Sequence, residues 1–309
     1  VLGGEVTDFT ATAIDVSANT AGFTYNQTII PAPVAGEGET QQEDTIPLTL
    51  GDIRLGSGDD FVNIQGGTVT GDISFGAGAD RLTVNNSSTV TGSITDSDGQ
   101  LEVLVTDNST LGLTTTANLN ATSASFDETS TYRPFIDPGT GQASSLVASG
   151  DVSFADGALI APQLATVLTD TSSEFVIVDA GGTLTIDTDV ATLRSDQTPF
   201  LYNTAIALSP TDPDALVLSL ALRSTEELGL DTQQAGVFTS AFEALQASPE
   251  LGGAFTRITD QSSFNAAYNQ LLPEFAAAAR QFVIANVDGA SGAVGSHLNN
   301  ARRSQEEPG

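Results

Sequence analysis

The sequence predicts a mainly β protein, a β-solenoid of short stacked coils followed by a C-terminal α-helical segment. Three observations carry this. The stretch Leu50–Val84, LGDIRLGSGDDFVNIQGGTVTGDISFGAGADRLTV, falls on itself when shifted by twenty residues. β-Branched and polar residues alternate within each period, with glycine turns between them. At Ser224 the apolar period changes from that of a strand to that of a helix.

The repeat is specific. Gly51-Asp52-Ile53 returns as Gly71-Asp72-Ile73, and Leu55-Gly56-Ser57-Gly58 as Phe75-Gly76-Ala77-Gly78. Asp60 returns as Asp80, Val62 as Leu82 and Ile64 as Val84. Each period is read as two short strands, Ile53/Leu55 and Val62/Ile64 in the first. One period cannot bury its apolar face alone; the next, about 4.8 Å away, does so and satisfies its backbone. Ile53, Ile73 and Ile94 are therefore expected in one internal column, Leu55 with Phe75, and Val62 with Leu82.

Taken in order, residues 1–30 hold Val6/Phe9, Ala13/Ile14/Val16 and Phe23/Tyr25, which predict two or three less regular strands. The start reads as strand and not as a signal-peptide pattern, so a processed or trimmed N-terminus is expected. PAPVAGEGETQQEDT, residues 31–45, reads as a projecting loop or a disordered linker. Thr91-Gly92-Ser93-Ile94 opens a third coil, with Leu101, Val103 and Val105 as its second strand. Leu111/Leu113, Leu119 and Phe126 extend the pattern. TYRPFIDPGTGQ, residues 131–142, reads as a second projecting loop.

Gly150-Asp151-Val152-Ser153-Phe154 resumes the coil signature, closing a first region, 1–148, and opening a second, 149–222. Here Phe175–Val178 reads as a buried strand. Ala205–Leu208 and Ala215–Leu220 read as a hairpin around Pro210–Asp214. Helices follow over 223–288. Ser224-Thr225-Glu226-Glu227 is read as a capping sequence, and Val237, Phe238, Ala241, Phe242 and Leu245 share one face. Pro249 opens a second helix and Ser262 caps a third, which carries Phe264, Tyr268 and Leu271. Pro273 starts a fourth. The tail, 289–309, is small and polar, without an apolar face to dock.

Composition narrows the function. The chain has 309 residues and a net charge of −30, from 9 basic and 39 acidic residues. Every basic residue is Arg. That excludes nucleic acid and anionic lipid, which need a basic face. There is no Cys, Met or Trp, and one His, His297. Thiol chemistry is excluded, and a His-dependent triad has only that single residue, in the polar tail. Low charge density and richness in Thr, Ser, Gly, Asn, Asp and Val fit an exported β protein.

The run Gly150-Asp151-Val152, Ala161-Pro162, Phe175 through Gly182, Pro199-Phe200-Leu201-Tyr202, Glu226 through Leu230, and above all NAAYNQLLPEF from Asn265, resembles autotransporters. These are the self-secreting outer-membrane proteins of type V secretion in Gram-negative bacteria. The resemblance covers the C-terminal half of a passenger and the segment leading to its translocator. It implies a right-handed parallel β-helix, carried to the cell surface by a C-terminal barrel of about twelve strands. No such barrel follows within the sequence to Gly309, so a released passenger or a chain cut short of the barrel is expected. The implied partners are that outer-membrane β-barrel and the barrel-assembly machinery, with self-association or another surface as further partners. Residues 149–222 would be the autochaperone cap and 289–309 the linker toward the barrel. The absence of Cys fits a chain that threads a narrow pore.

The Gly-rich turns Gly56–Val62 and Gly76–Leu82 match G-x-G-x-D-x-U, the core of calcium-binding repeats, and make Asp59, Asp60 and Asp80 candidate calcium ligands. Such repeats need a match every nine residues or so; here the matches lie twenty apart. The spacing favours glycine turns whose stacked Asp side chains cap backbone N–H groups, with no cofactor. Asp59/Asp60 and Asp96/Asp98 can be posed as acid/base pairs. No Arg, Lys or aromatic platform accompanies them, and Ser145 and Ser149 have no base. Glu37–Asp44 is an acidic cluster on the first loop, read as solvated. Tyr132, Phe135 and Ile136 either pack back onto the coils or form a contact patch on the second loop. The expected role is structural display or adhesion at the cell surface, not catalysis. The rivals are the remnant of a passenger enzyme whose catalytic part lay upstream, and a calcium-dependent extracellular repeat protein.

Overall fold

Strands recur in threes. The computed structural model describes residues 11–34, 42–186 and 198–272, and these are mainly β with three helices at the end. Thr12–Asp15, Asp52–Arg54, Ile73–Phe75 and Ile94–Asp96 lie side by side in one sheet. Thr24–Thr28, Phe61–Gln65, Asp80–Val84, Leu101–Val105, Ser123–Phe126, Val152–Phe154 and Leu184–Ile186 form a second. Leu48–Leu50, Thr68–Thr70, Thr89–Thr91, Thr110–Gly112, Thr131–Arg133 and Leu159–Ile160 form a third. Every neighbouring pair in these sheets is parallel. The chain thus visits the sheets in order and returns to each one strand further on.

Register follows the repeat. Ile73 pairs with Ile53 on one side and Ile94 on the other. Val62, Leu82 and Val103 are aligned, as are Ile64, Val84 and Val105. All nine are buried, as are Leu55 and Phe75. A three-residue strand has no hydrogen-bonded existence alone: the Ile53 N–H donates to Asp72 O (2.8 Å) and the Ile73 N–H to Ser93 O (2.9 Å). Stability here comes from side-by-side passes. At the turns the backbones come closer still. A Cβ on Gly76 would collide with Gly56 O, so this position requires glycine.

Three strands, not two, make up each period. Val69 and Val90 are inward on the third, aligned with Leu111 and Tyr132. One apolar residue between two threonines is too short an alternation to stand out in sequence. Asn86, Ser87, Asp107 and Asn108 turn the chain into this strand with φ of 58°, 58°, 56° and 60°. Asn and Asp tolerate this left-handed region better than most residues.

The two expected loops differ. The stems of the first are tied by reciprocal hydrogen bonds between Ile30 and Thr45 (3.1 and 2.9 Å); residues 35–41 lie outside the described set. The stretch 131–142 is no projecting loop. Thr131–Arg133 joins the third sheet, and Phe135–Asp137 pairs antiparallel with Gln142–Ala143 and parallel with Gln163–Leu164. Tyr132 and Ile136 are fully buried and Phe135 is half-buried, which removes the contact patch. The reason is packing. The Tyr132 ring lies 5.5 Å from that of Phe126, which stacks on Phe154 at 4.6 Å.

Pairing then changes sense. Ser172–Ala180 runs parallel to Leu146–Ala148 but antiparallel to Ala215–Leu222, and that strand pairs with Tyr202–Leu208 as the expected hairpin. Residues 187–197 lie outside the described set.

Helices Thr232–Ala247, Pro249–Thr256 and Gln261–Leu271 follow. Ser224 and Glu227 do bond reciprocally, with Ser224 N–H donating to Glu227 Oε2 (2.8 Å) and Glu227 N–H to Ser224 Oγ (3.3 Å). They close a single turn, ended by Gly229 at φ 69°, and not a helix. The cap belongs to Asp231, which accepts from the Gln233 and Gln234 N–H groups (2.8 and 2.9 Å), while Gln234 Oε1 accepts from Asp231 N–H (2.9 Å). Asp231→Ala should cost about 1 kcal/mol, read as a lowered midpoint in urea unfolding. Asp260, not Ser262, starts the last helix by accepting from the Ser263 N–H (2.9 Å).

The first two helices lie against residues 163–169. Thr256 Oγ1 donates to Leu164 O (3.1 Å), and Gln246 Nε2 donates to Leu168 O (2.7 Å) and Thr169 O (3.0 Å). Tyr202 Oη accepts from the Leu168 N–H (2.8 Å). A Cβ on Gly253 would stand 2.5 Å from Ala165 O, so glycine permits this approach. Phe238, Phe242, Leu245, Phe255 and Phe264 are buried, with the Phe255 and Phe264 rings edge to face at 6.1 Å. The chain divides into one compact unit ending at Asn265 and a second beginning at Ala266, of which 266–272 are described. The expected fourth helix from Pro273, the tail 289–309 and His297 lie outside the described residues, as do Val6 and Phe9. No described helix is long and apolar enough to cross a membrane.

Candidate functional site

Two aspartates sit where the pattern calls for apolar side chains. Along Phe61–Gln65 the inward residues are Val62 and Ile64, and Asp60 continues their parity into the turn. Asp80 does the same ahead of Leu82 and Val84. The register completes a column of Phe23, Asp60, Asp80 and Leu101. Asp60 is 1% exposed and Asp80 2%.

Each carboxyl is half satisfied. Asp60 Oδ1 accepts from the Phe23 N–H and Asp80 Oδ1 from the Asp60 N–H, both at 2.7 Å. The second oxygens, Asp60 Oδ2 and Asp80 Oδ2, are buried without a hydrogen-bond partner. A third buried carboxyl, Asp96, stands in register with Phe75, and its Oδ2 is likewise without a partner.

Burial pushes the Asp80 carboxyl up to about 6, against the pull of the Asp60 N–H, and the charges of Asp60, Asp96 and Asp98 add to the rise. Burial also raises Asp96, with the Asp98 charge contributing. Burial opposes ionisation of Asp98 too, but hydrogen bonds from the Gly78 and Gln100 N–H groups prevail and hold it below its ordinary value. Neighbouring carboxyls are thus set apart by environment.

The outer acids do something different. Asp59 accepts from the Ala79 N–H (2.9 Å), Asp52 from Asp72 (3.2 Å), Asp72 from Ser93 (2.7 Å), Asp127 from Asp107 (2.7 Å) and Asp151 from Thr183 (2.8 Å). Each staples one pass of the chain to another, as the glycine-turn reading expects.

Of the candidate calcium ligands, the structure brings Asp60 and Asp80 together inside and leaves Asp59 exposed on the other side. Among the described residues no three acidic or His side chains converge to hold a metal ion. Asp96 faces inward and Asp98 outward, so the second posed pair shares no cleft. Ser145 is buried and Ser149 exposed. On the first loop Glu43 and Asp44 are exposed, and Asp44 Oδ1 accepts from the Ala32 N–H (2.8 Å); Glu37 and Glu39 lie outside the described residues.

Sequence reasoning missed a polar plug on the first pass. Tyr25 Oη lies 2.8 Å from Thr49 Oγ1, Thr49 donates to Gln27 Oε1 (2.6 Å), and Gln27 Nε2 donates to Gly66 O (2.9 Å). Strand parity puts all three at positions held by Val62, Ile64 and Val69 on the next pass, a signal available before the structure. Two shallow grooves lie among the described residues. One groove of about 530 Å³ lies over Glu174, Asn203, Ala205 and Ser219, and one of about 510 Å³ over Thr28, Gln65, Asn86 and Asp107. In the first, Ser219 Oγ donates to Glu174 Oε1 (3.3 Å) across two neighbouring strands. No family model, no curated protein and no solved structure matches the chain.

Proposed function

We propose that the chain is a right-handed parallel β-helix that serves as the passenger of an autotransporter, a surface displayed outside a Gram-negative cell for structural or adhesive contact. The observation that carries this reading is the ordered return to three parallel sheets around a filled apolar interior. Parallel strands laid side by side present continuous rows of outward side chains, which suits display. The net charge of −30 and the lack of Cys accord with export through a pore. The C-terminal barrel and the barrel-assembly machinery are the partners this reading requires.

Antibodies to the purified chain test it on the cells that make it. Intact cells should be labelled, and external protease should remove the label. Labelling only after lysis would sink the proposal. The rival calcium-dependent reading is tested by refolding in chelator: circular dichroism should be unchanged, and a need for calcium would favour the rival.

A further inference from the structure

We infer that the carboxyls of Asp60 and Asp80 form a proton-operated clasp between neighbouring passes of the chain, tight when a proton occupies the pair and loosened when it leaves. Three features of the geometry lead there. Both side chains are more than nine-tenths buried, and each has one oxygen without a partner. Asp60 immediately precedes the strand Phe61–Gln65 and Asp80 opens its parallel neighbour, so the register carries them onto adjacent passes, where the Asp60 N–H donates to Asp80 Oδ1 (2.7 Å). The column continues into Phe23 on one side and Leu101 on the other, neither of which can neutralise a charge. Two ionised carboxylates so placed repel each other with little water to screen them.

Among the described residues no cation faces them. Arg81, on the same strand as Asp80, is exposed and paired with Glu102 on the next strand (2.6 Å). Arg54 is paired with Asp52 (3.1 Å). The remaining charged neighbours are Asp96 and Asp98 from the adjoining strand and its turn, and they repel. Asp59 faces out. A proton on Asp80 is therefore what fits the orphaned oxygens.

The raised Asp80 value supports this. A carboxyl that holds its proton more tightly folded than unfolded stabilises most below its unfolded value, near 3.8. That contribution is lost as pH rises through about 6. The fold should accordingly tighten on mild acidification, the reverse of ordinary acid denaturation.

The test is urea unfolding at pH 5 and 7.5, with carbon-13 titration of the Asp carboxyls. Between pH 5 and 7.5 the unfolding equilibrium constant should rise by roughly 10-fold from Asp80. Asp80→Asn should flatten that dependence and unfold no more easily than the wild type at pH 7.5. Asp59→Asn should keep the wild-type slope, which separates the clasp from the general relief of charge. Should Asp80→Asn fail to fold, the wild-type carboxyl titration decides alone. An Asp80 carboxyl titrating near 4 overturns the proposal, as does a full pH dependence in Asp80→Asn. So does abolition of the wild-type dependence by millimolar calcium, which would make a metal ion the occupant.

Discussion

Ile73→Asp abolishes the folded stack at neutral pH. Ile73 is wholly buried and sits between Ile53 and Ile94 in the same column, so the new carboxylate meets methyl groups above and below. No basic side chain points inward there; Arg54 on the neighbouring strand is exposed. Losing the side chain and burying an unpaired charge together cost at least about 4 kcal/mol, a large share of a typical domain's stability. Circular dichroism and limited proteolysis would show loss of β structure. The conservative Ile73→Val should cost about 1 kcal/mol. A variant Ile73→Asp with a wild-type melt would refute the alignment of these strands.

The second large effect lies at the helical end. Phe255→Asp should cost about 4 kcal/mol, because Phe255 is buried on the short helix held to the strands by Thr256 and Gly253. The consequence reaches the β part if the helices and the strands at residues 163–169 unfold together. Tyr202, bonded to Leu168, and Phe200, whose N–H donates to Ile258 O (2.7 Å), link both to the hairpin. One cooperative transition at a lowered midpoint is the expected result. Two separate transitions, with the β signal unmoved, would show that the helices only decorate the strands.

Much of the strand core was legible because alternation and a twenty-residue return are properties of the chain itself. Ile53, Ile73, Ile94, Val62 and Leu82 follow directly. What misled was local chemistry overridden by neighbours. Pro134, Pro138 and two glycines read as a loop around Tyr132 and Ile136, yet a large ring between Leu111 and Ile160 fills a gap that turn residues do not reveal. Ser224 and Glu227 have the chemistry of a helix cap, but Gly229 ends the turn before a helix can grow. In sequence Asp60 reads with Asp59 as one acidic turn, and Asp80 as its repeat twenty residues on. Counting by twos from Val62 and Leu82 separates them, one parity stapling passes at the surface and the other buried in the column.

The reversal of strand direction at Ser172–Ala180 bears on how these molecules keep apart. A stack of identical parallel strands is a template, and its last strand can recruit the first strand of another molecule in the same register. Here the position beside Ser172–Ala180 is already taken by Ala215–Leu222, running the opposite way, and Tyr202–Leu208 covers that in turn. A newcomer at this sheet meets a hairpin of unlike direction and spacing, so templated growth has no matching edge there. The chain's 39 acidic residues, some of which staple the turns, add mutual repulsion. Crowded together, such molecules have no matching edge at this sheet from which a fibre could grow.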